Sequence, residues 1–457
     1  MMVGRLVSGN WELTASVATD GPLSGSDVRI WFSSDANREN CAFLNVGSGR
    51  TYLGRRKQGS EEILRTYADA GHPPWRIRLQ KRGAFFRFRI NDAPHGYIKG
   101  PSGQWDMLFE PTEAHLFIDC DQEHYRIDEC RLTRLTWFEE TTLAIPTGEE
   151  GSWTAGHVLP GGIIEYQGRY YLYLMGSRPG QQEGGLQRVI GVAMSDDLER
   201  WELHPEPVVT RSNVPYDNLY PNGAIVTGEG KVALLYSSQM FPKWNGFCLT
   251  VADHPLGPFV DHPGNPVFDH GDAAHEFDVV ALEGGRYRYL LMYAGFTPNP
   301  PRGPAGDRGY ALYSDDLVHW VPDPDNPVFG PDTLDDWDAI HVRTRSLTKI
   351  GDIWYLWYEG CNTWKPRGKQ HHGWWDTVGL ARSKDLKNWE YHPRNPALES
   401  GRSHWIGWPR MVIRNGIGYV FMIENSRIVY RKIPIEKLTD WESDLGGTID
   451  LLQEARA

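Results

Sequence analysis

A short motif of the form Ser-x-Asp-Leu-x-x-Trp recurs along this chain and limits its fold more than any other sequence feature. It occupies residues 195–201, 314–320 and 383–389, and a weaker relative fills residues 252–259. The four copies begin 57, 62 and 69 residues apart. A repeat of this length indicates one supersecondary unit stacked around an axis, and a four-stranded propeller blade fits it best. We predict a structural role for the motif, because its Asp is suited to begin a turn and its Leu and Trp to pack between blades.

Pairs of short apolar segments follow the same period, and a glycine-containing turn separates nearly every pair. Each pair is typical of the β-hairpin that forms the first two strands of a blade, so five pairs predict five blades. The fifth blade lacks the motif, and we expect its outer strand to come from residues 132–137, which would close the ring. The pairs are residues 163–166 with 170–174, 224–226 with 232–236, 279–282 with 289–293, 345–348 with 354–358, and 411–413 with 419–423.

Residues 1–135 lack the repeat and consist of short alternating segments between Gly, Pro, Asn and Asp turns. Apolar and polar residues alternate strictly over residues 75–80, which indicates an antiparallel strand buried on one face. We therefore predict an all-β protein, with an antiparallel β-sandwich of the jelly-roll type over 1–135 and a five-bladed β-propeller over 136–457. The first part resembles laminin-G and concanavalin-like modules. The sequence leaves open whether it binds sugar, braces the propeller or mediates a homo-oligomer.

Charge and composition exclude several classes of partner. The formal net charge is −12 and no basic run is present, so we expect no nucleic-acid partner. No apolar stretch reaches membrane-spanning length, and the first residues lack a signal-peptide core, so we expect a cytoplasmic protein without a membrane partner. The five cysteines are scattered and show no Cys-x-x-Cys spacing, which favours free buried thiols.

The repeat, the five hairpins and the Tyr-Tyr-Leu-Tyr-Leu second strand at 170–174 resemble the five-bladed propeller glycoside hydrolases over about residues 140–440. This superfamily includes families 43, 32, 62, 68 and 117 and the mannoside phosphorylases. The resemblance implies a glycosidase that acts on an oligosaccharide or polysaccharide at the axial mouth, where inner strands supply carboxylates. Glycoside hydrolysis needs two carboxylates across the scissile bond.

The candidate catalytic residues lie where the inner strands begin. Glu276 and Asp278 are two residues apart, so on a strand their side chains face the same way. We expect one of them to be the general acid, and Asp338 or Asp217 to be the base or nucleophile. Eight further residues near these strands are candidates for substrate binding: His157, Asn222, Trp337, His341, Arg343, His404, Trp405 and Arg410.

Blade 1 departs from the pattern that the resemblance implies. Leu159 occupies the position where the relatives carry a catalytic Asp, and Asn222 occupies the position of their second Asp. Glu359 follows a second strand, and we expect it to lie too far down its blade to take part.

Two alternatives to hydrolysis remain. In a phosphorylase of the mannoside type, phosphate replaces water, and Arg343, Arg345 and Arg410 would form the anion site with the nearby histidines. In a non-catalytic carbohydrate-binding propeller, the missing Asp of blade 1 would have no consequence. The resemblance also allows a calcium ion on the axis, but no ligand spacing in the sequence defines one, and we predict no metal ligands.

Overall fold

The computed structural model describes most of the protein. The described residues are 2–8, 11–19, 27–33, 37–39, 41–47, 50–67, 73–82, 85–90, 93–99, 113–120, 125–134, 141–178, 188–216, 218–240, 243–269, 276–301, 303–331, 338, 340–361, 377–392, 395–399, 406–441 and 448–454. Most of them lie in antiparallel strands and only two short helices occur among them, which confirms the predicted all-β architecture. The short helices of this part of the protein are not long or apolar enough to cross a membrane.

The first eleven strands form two antiparallel sheets. In β2 and β7 the apolar residues alternate with polar ones and point into one core, as predicted from residues 75–80. That core holds side chains from both sheets, so the sheets pack face to face. The strands are β1 (Met2–Ser8), β2 (Trp11–Thr19), β3 (Val28–Ser33), β4 (Cys41–Val46), β5 (Thr51–Lys57), β6 (Ser60–Tyr67), β7 (Trp75–Arg82), β8 (Phe85–Ile90), β9 (Ala93–Lys99), β10 (Glu113–Asp119) and β11 (Tyr125–Arg134).

The strand order is β1-β10-β3-β4-β5-β6 in one sheet and β11-β2-β7-β8-β9 in the other. The likeness of this unit to laminin-G modules remains a prediction. All five cysteines of the protein are free and buried, as expected from their spacing.

The next strands form small antiparallel sheets, which we call blades 1 to 5. Blades 1 to 4 begin with β13, β17, β21 and β25, and blade 5 consists of β30, β31, β32 and β12. The strands are β12 (Thr142–Ile145), β13 (His157–Tyr166), β14 (Arg169–Ser177), β15 (Val189–Ser195), β16 (Glu202–Leu203), β17 (Asn218–Val226), β18 (Val232–Met240), β19 (Lys243–Ala252), β20 (Val260–Asp261), β21 (Glu276–Ala281), β22 (Tyr289–Thr297), β23 (Gly306–Ser314), β24 (Val321–Pro322), β25 (His341–Ile350), β26 (Ile353–Cys361), β27 (Thr377–Ser383), β28 (Glu390–Tyr391), β29 (Leu398–Glu399), β30 (Ile406–Arg414), β31 (Ile417–Glu424) and β32 (Arg427–Pro434).

The first strand of each blade is its inner strand, and these strands form a closed circle. β13 contacts β17, β17 contacts β21, β21 contacts β25, β25 contacts β30, and β30 contacts β13. The outer strand β12 completes blade 5 by pairing with β32. The sequence placed this closing strand at residues 132–137, but residues 132–134 belong to β11 of the sandwich. The strand that closes the ring lies about ten residues later, so the expected position was wrong.

The repeated motif is a turn that caps itself. Ser195 Oγ accepts a hydrogen bond from the backbone N–H of Leu198 at 2.8 Å, and Asp197 Oδ1 accepts bonds from the next two N–H groups at 2.8 Å. The central leucine has a φ of 64° to 67° in all three copies. Trp201 Nε1 donates to the Leu198 carbonyl at 3.1 Å, and its ring packs edge-on against Phe421 of blade 5. The motif therefore has the structural, interblade role that the sequence predicted.

The last described residues return to the sandwich. After α1 (Ile435–Thr439), strand β33 (Thr448–Asp450) pairs with β11 and extends the second sheet to six strands. In the helix that follows, α2 (Leu451–Glu454), Leu451 and Leu452 are buried in the sandwich core. The sequence assigned residues 136–457 to the propeller, whereas residues 448–454 pack with the sandwich.

Candidate functional site

An ionic cluster lies where the inner strands of blades 3 and 4 begin. Glu276 opens β21, and its carboxylate is almost fully buried. Its Oε1 accepts a hydrogen bond from Arg343 Nη1 at 3.0 Å and lies 3.0 Å from Arg345 Nη2. Arg343 and Arg345 both lie on β25, whose register shifts at a β-bulge between Thr344 and Ser346, and both guanidinium groups reach Glu276 on the neighbouring inner strand.

Glu359 belongs to the same cluster. Its Oε2 accepts a hydrogen bond from Arg345 Nη2 at 2.6 Å, and its Oε1 accepts one from the backbone N–H of Trp408 on blade 5. The carboxylate is fully buried. The expectation that Glu359 lies too far down its blade was wrong, because Glu359 pairs with Arg343 in the antiparallel register of β25 and β26. That register, read from the hairpin, was the signal that could have placed it.

Asp278 lies one step further along β21. Its Oδ2 accepts a hydrogen bond from the backbone N–H of Leu347 at 2.8 Å, and its Oδ1 lies 3.5 Å from Arg410 Nη1. Arg410 is anchored on two backbone carbonyls, those of Phe277 and Arg345. Burial raises the pKa of Asp278, and the nearby Arg410 only partly opposes this. At 14% exposure the Asp278 side chain is also more accessible than that of Glu276, at 3%.

Asp307, at the start of the third strand of blade 3, completes the cluster. Its Oδ2 accepts a hydrogen bond from Arg343 Nε at 2.8 Å. His341 Nδ1 lies 3.1 Å from the backbone nitrogen of Asp307 and 3.3 Å from Asp307 Oδ2. Burial would raise the pKa of Asp307, but the charge of Arg343 and the contact with His341 outweigh it and lower the pKa to about 2. Sequence analysis missed Asp307, because it lies on a third strand rather than an inner one.

The charges of the cluster match when one carboxyl group is neutral. Three guanidinium groups, those of Arg343, Arg345 and Arg410, face four carboxyl groups. Asp307 is ionised, whereas the pKa of Asp278 is raised. A protonated Asp278 would leave three carboxylates for three guanidinium groups, which is the state a buried site favours.

An aromatic cluster occupies the side of blades 1, 2 and 5. Leu159, Tyr220 and Trp408 come from the three inner strands and pack with Met175 and Ile423 of the second strands. The rings of Tyr220 and Trp408 stack with centroids 5.7 Å apart and an interplanar angle of 23°. Leu159, at the position where an Asp was implied, is therefore part of an apolar contact.

Two arginines sandwich this aromatic pair. The guanidinium carbon of Arg345 lies 4.2 Å from the centre of the Trp408 ring, and that of Arg188 lies 4.9 Å from the centre of the Tyr220 ring. Both distances suit cation–π interactions. The aromatic cluster thus links the ionic cluster on one side to blade 1 on the other.

The remaining predicted residues are placed as follows. Asp338 is buried, and its Oδ2 accepts a hydrogen bond from Tyr358, whose ring lies in the apolar core of blades 3 and 4. Asn222 is buried and donates to Ser237 Oγ at 2.9 Å within blade 2. Burial and the charge of Arg188 lower the pKa of His157 to about 4. Four other predicted residues lie outside the described part of the protein: Asp217, Trp337, His404 and Trp405.

The axial calcium ion that the resemblance allowed stays a prediction. No group of three or more His, Cys, Asp or Glu side chains in the described ranges is arranged to hold a metal ion. The carboxylates near the axis are bound to arginines instead. We therefore derive no step through a metal.

Solved structures share the propeller fold. One described as a glycoside hydrolase has 13% sequence identity and a TM-score of 0.51, over 65% of this chain and 90% of that chain. Another, a complex of BT0996 with RGII, has 14% identity and a TM-score of 0.50, over 65% of this chain and 90% of that one. A thermostable family-43 glycoside hydrolase has 18% identity and a TM-score of 0.46, over 61% and 89%.

No protein-family model matches the sequence, and no curated protein matches it significantly. The predicted likeness to the propeller glycoside hydrolases is confirmed at the level of the fold.

Proposed function

We propose that this protein is a glycan-active enzyme, a glycosidase that cleaves a glycosidic bond of an oligosaccharide or polysaccharide at the propeller axis. The observation that carries the proposal is the pair Glu276 and Asp278 at the start of an inner strand, in contact with three arginines. Similarity of the fold to solved glycoside hydrolases supports it, and one structural neighbour is an RGII complex.

The two carboxyl groups would take different roles. Asp278 has a raised pKa and would be the general acid that protonates the departing glycosidic oxygen. Glu276, with two guanidinium groups on its Oε1, would be the ionised partner that stabilises positive charge on the sugar or activates water. Asp307 contacts Arg343 and would position it rather than touch substrate.

The test is a screen of aryl glycosides and oligosaccharides with the wild type and with Asp278→Asn. We expect turnover by the wild type and a loss of about 100-fold or more in Asp278→Asn, since a positioned general acid contributes roughly that much. Asp196→Asn, at a side chain 82% exposed on blade 1, is the matched control and should behave as wild type. Near-normal turnover in Asp278→Asn would refute the assignment. Sugar binding without turnover of any compound would instead support a carbohydrate-binding propeller.

A specific observation also favours a phosphorylase as the second candidate. Arg345 Nε and Nη1 and Arg410 Nε are buried, and no hydrogen-bond acceptor within the described ranges reaches them. Such donors suit a phosphate oxygen. The same screen should therefore be run with and without inorganic phosphate. Phosphate-dependent release of a sugar 1-phosphate would establish phosphorolysis, whereas rates independent of phosphate would establish hydrolysis.

A further inference from the structure

A cavity of about 440 Å³ opens on blade 1, apart from the ionic cluster. It lies where β13 and β15 begin and β14 ends, which is the same end of the propeller as the start of β21. Its walls include an aromatic ring, three arginines and one glutamate: Trp153, Arg178, Arg188, Arg211 and Glu206. None of these residues has a role in the proposed chemistry.

The indole of Trp153 is held rigidly against blade 1. Its Nε1 donates a hydrogen bond to the Pro205 carbonyl at 3.0 Å. The ring lies over Gly176 and Gly191, where a Cβ atom would come within 2.4 Å and 2.0 Å of ring carbons. Because only glycine leaves room for the ring at these two positions, the strands are shaped to seat it. A fixed aromatic face is the kind of surface on which the apolar face of a sugar stacks.

The cavity is basic although the whole protein is acidic. Its lining contains three arginines and a single carboxylate, that of Glu206. Burial lowers the pKa of Arg188 to about 10, so its guanidinium stays charged at neutral pH. Planar guanidinium groups bind carboxylates with two parallel hydrogen bonds, which makes arginine suited to an acidic sugar.

Arg188 also connects the cavity to the axis. The same guanidinium that lines the cavity lies over Tyr220, which stacks on Trp408 beside the ionic cluster. A glycan bound at the axis could therefore continue over blade 1 toward Trp153.

We propose that this cavity is a distal subsite that binds a uronic-acid residue of a glycan, with the sugar ring on Trp153 and its carboxylate on Arg178 and Arg188. The inference rests on the proposed glycan-active function for the class of ligand. The inference adds that the ligand contains an acidic sugar, which the ionic cluster alone does not indicate.

The experiment measures binding without turnover, in an Asp278→Asn background, by calorimetry. The probes are trigalacturonate, its fully methyl-esterified form, which carries no negative charge, and inorganic phosphate. We expect the acid to bind at least about tenfold more tightly than the ester, as expected for hydrogen bonds to a charged group. Arg178→Gln and Arg188→Gln should each remove most of that difference and leave the affinity for the ester unchanged.

Arg200→Gln is the matched control, because Arg200 lies on the same blade with a side chain 93% exposed. It should bind the acid as the background protein does. Arg178→Gln and Arg200→Gln should keep the melting temperature of the background protein, whereas Arg188→Gln also loses the contact with Tyr220. Equal binding of acid and ester, or no effect of Arg178→Gln and Arg188→Gln, would overturn the proposal. Phosphate binding as tight as that of the trimer would also overturn the proposal if Arg178→Gln and Arg188→Gln abolished it, because the cavity would then take a free anion.

This outcome is separate from that of the proposed function. Discrimination of acid from ester that depends on Arg178 would stand even if no glycoside were cleaved. Conversely, turnover of neutral glycosides with no such discrimination would refute the subsite and leave the glycosidase proposal intact.

Discussion

Blades 3 and 4, together with Arg410 of blade 5, line one side of the axis with ion pairs, whereas Leu159, Tyr220 and Trp408 of blades 1, 2 and 5 form an aromatic side. The ionic side depends on partners at defined distances, because a buried charge without a partner is costly. The aromatic side depends on shape and stacking, which tolerate substitutions that conserve volume. For the proposed function, this difference means that proton transfer would depend on the carboxyl groups of blade 3, whereas the aromatic side would hold and orient a ligand.

The largest effect is expected from Glu276→Gln. The change removes the charge that Arg343 and Arg345 share, and breaking a buried ion pair costs about 3–5 kcal/mol. The free energy of unfolding in urea measures this loss of stability. Leu159→Met, a change that conserves volume on the aromatic side, is the control and should cost less than about 1.5 kcal/mol. Equal losses in both variants would remove the distinction between the two sides.

We expect Asp307→Asn to lower the free energy of unfolding by about 2 kcal/mol at neutral pH, because the pKa of Asp307 is lowered to about 2 in the folded protein. A carboxyl group whose pKa is lower in the folded state stabilises the fold above its unfolded pKa, and this stability is lost as the pH falls from about 4 toward 2. Unfolding measured from pH 7 to pH 2 should show the wild type converging on the variant. Asp196→Asn should follow the wild type throughout, and a constant gap for Asp307→Asn would contradict the assignment.

The pH dependence of turnover tests Asp278 directly. A general acid must be protonated, so the rate should fall about tenfold per pH unit above the raised pKa of Asp278. The residual activity of Asp278→Asn should not show this fall in rate at alkaline pH, which we call the alkaline limb. If the variant kept the same limb, another group would be the acid.

The smallest effect is expected from Trp408→Phe. The smaller ring keeps part of the stacking on Tyr220 and part of the contact with Arg345, so we expect the free energy of unfolding to fall by about 1 kcal/mol. Trp441→Phe is the matched control, since Arg382 lies 4.0 Å from the centre of that ring, away from the axis. Both variants should lose similar stability, but only Trp408→Phe should raise KM. A raised KM in both would mean that the effect is not local.

Much of the fold could be predicted because it depends on local rules. The Ser-x-Asp-Leu-x-x-Trp turn is closed by its own Ser195 and Asp197, so its sequence reveals its geometry. The alternation over residues 75–80 likewise reports one buried face of β7. The closing strand β12 and the return of β33 to the sandwich were not predicted correctly, because pairing between distant segments leaves little trace in either segment alone.

The candidate site divides in the same way. The sequence by itself indicated Glu276, Asp278, Arg343 and Arg410, because each lies near the start of an inner strand. Only the tertiary structure brought Glu359 and Asp307 to them, through the register of one hairpin and the approach of a third strand. It also decided that Asp278 has a raised pKa and Asp307 a lowered one. Such shifts arise from burial and from charges that are distant in sequence, and no local pattern contains them.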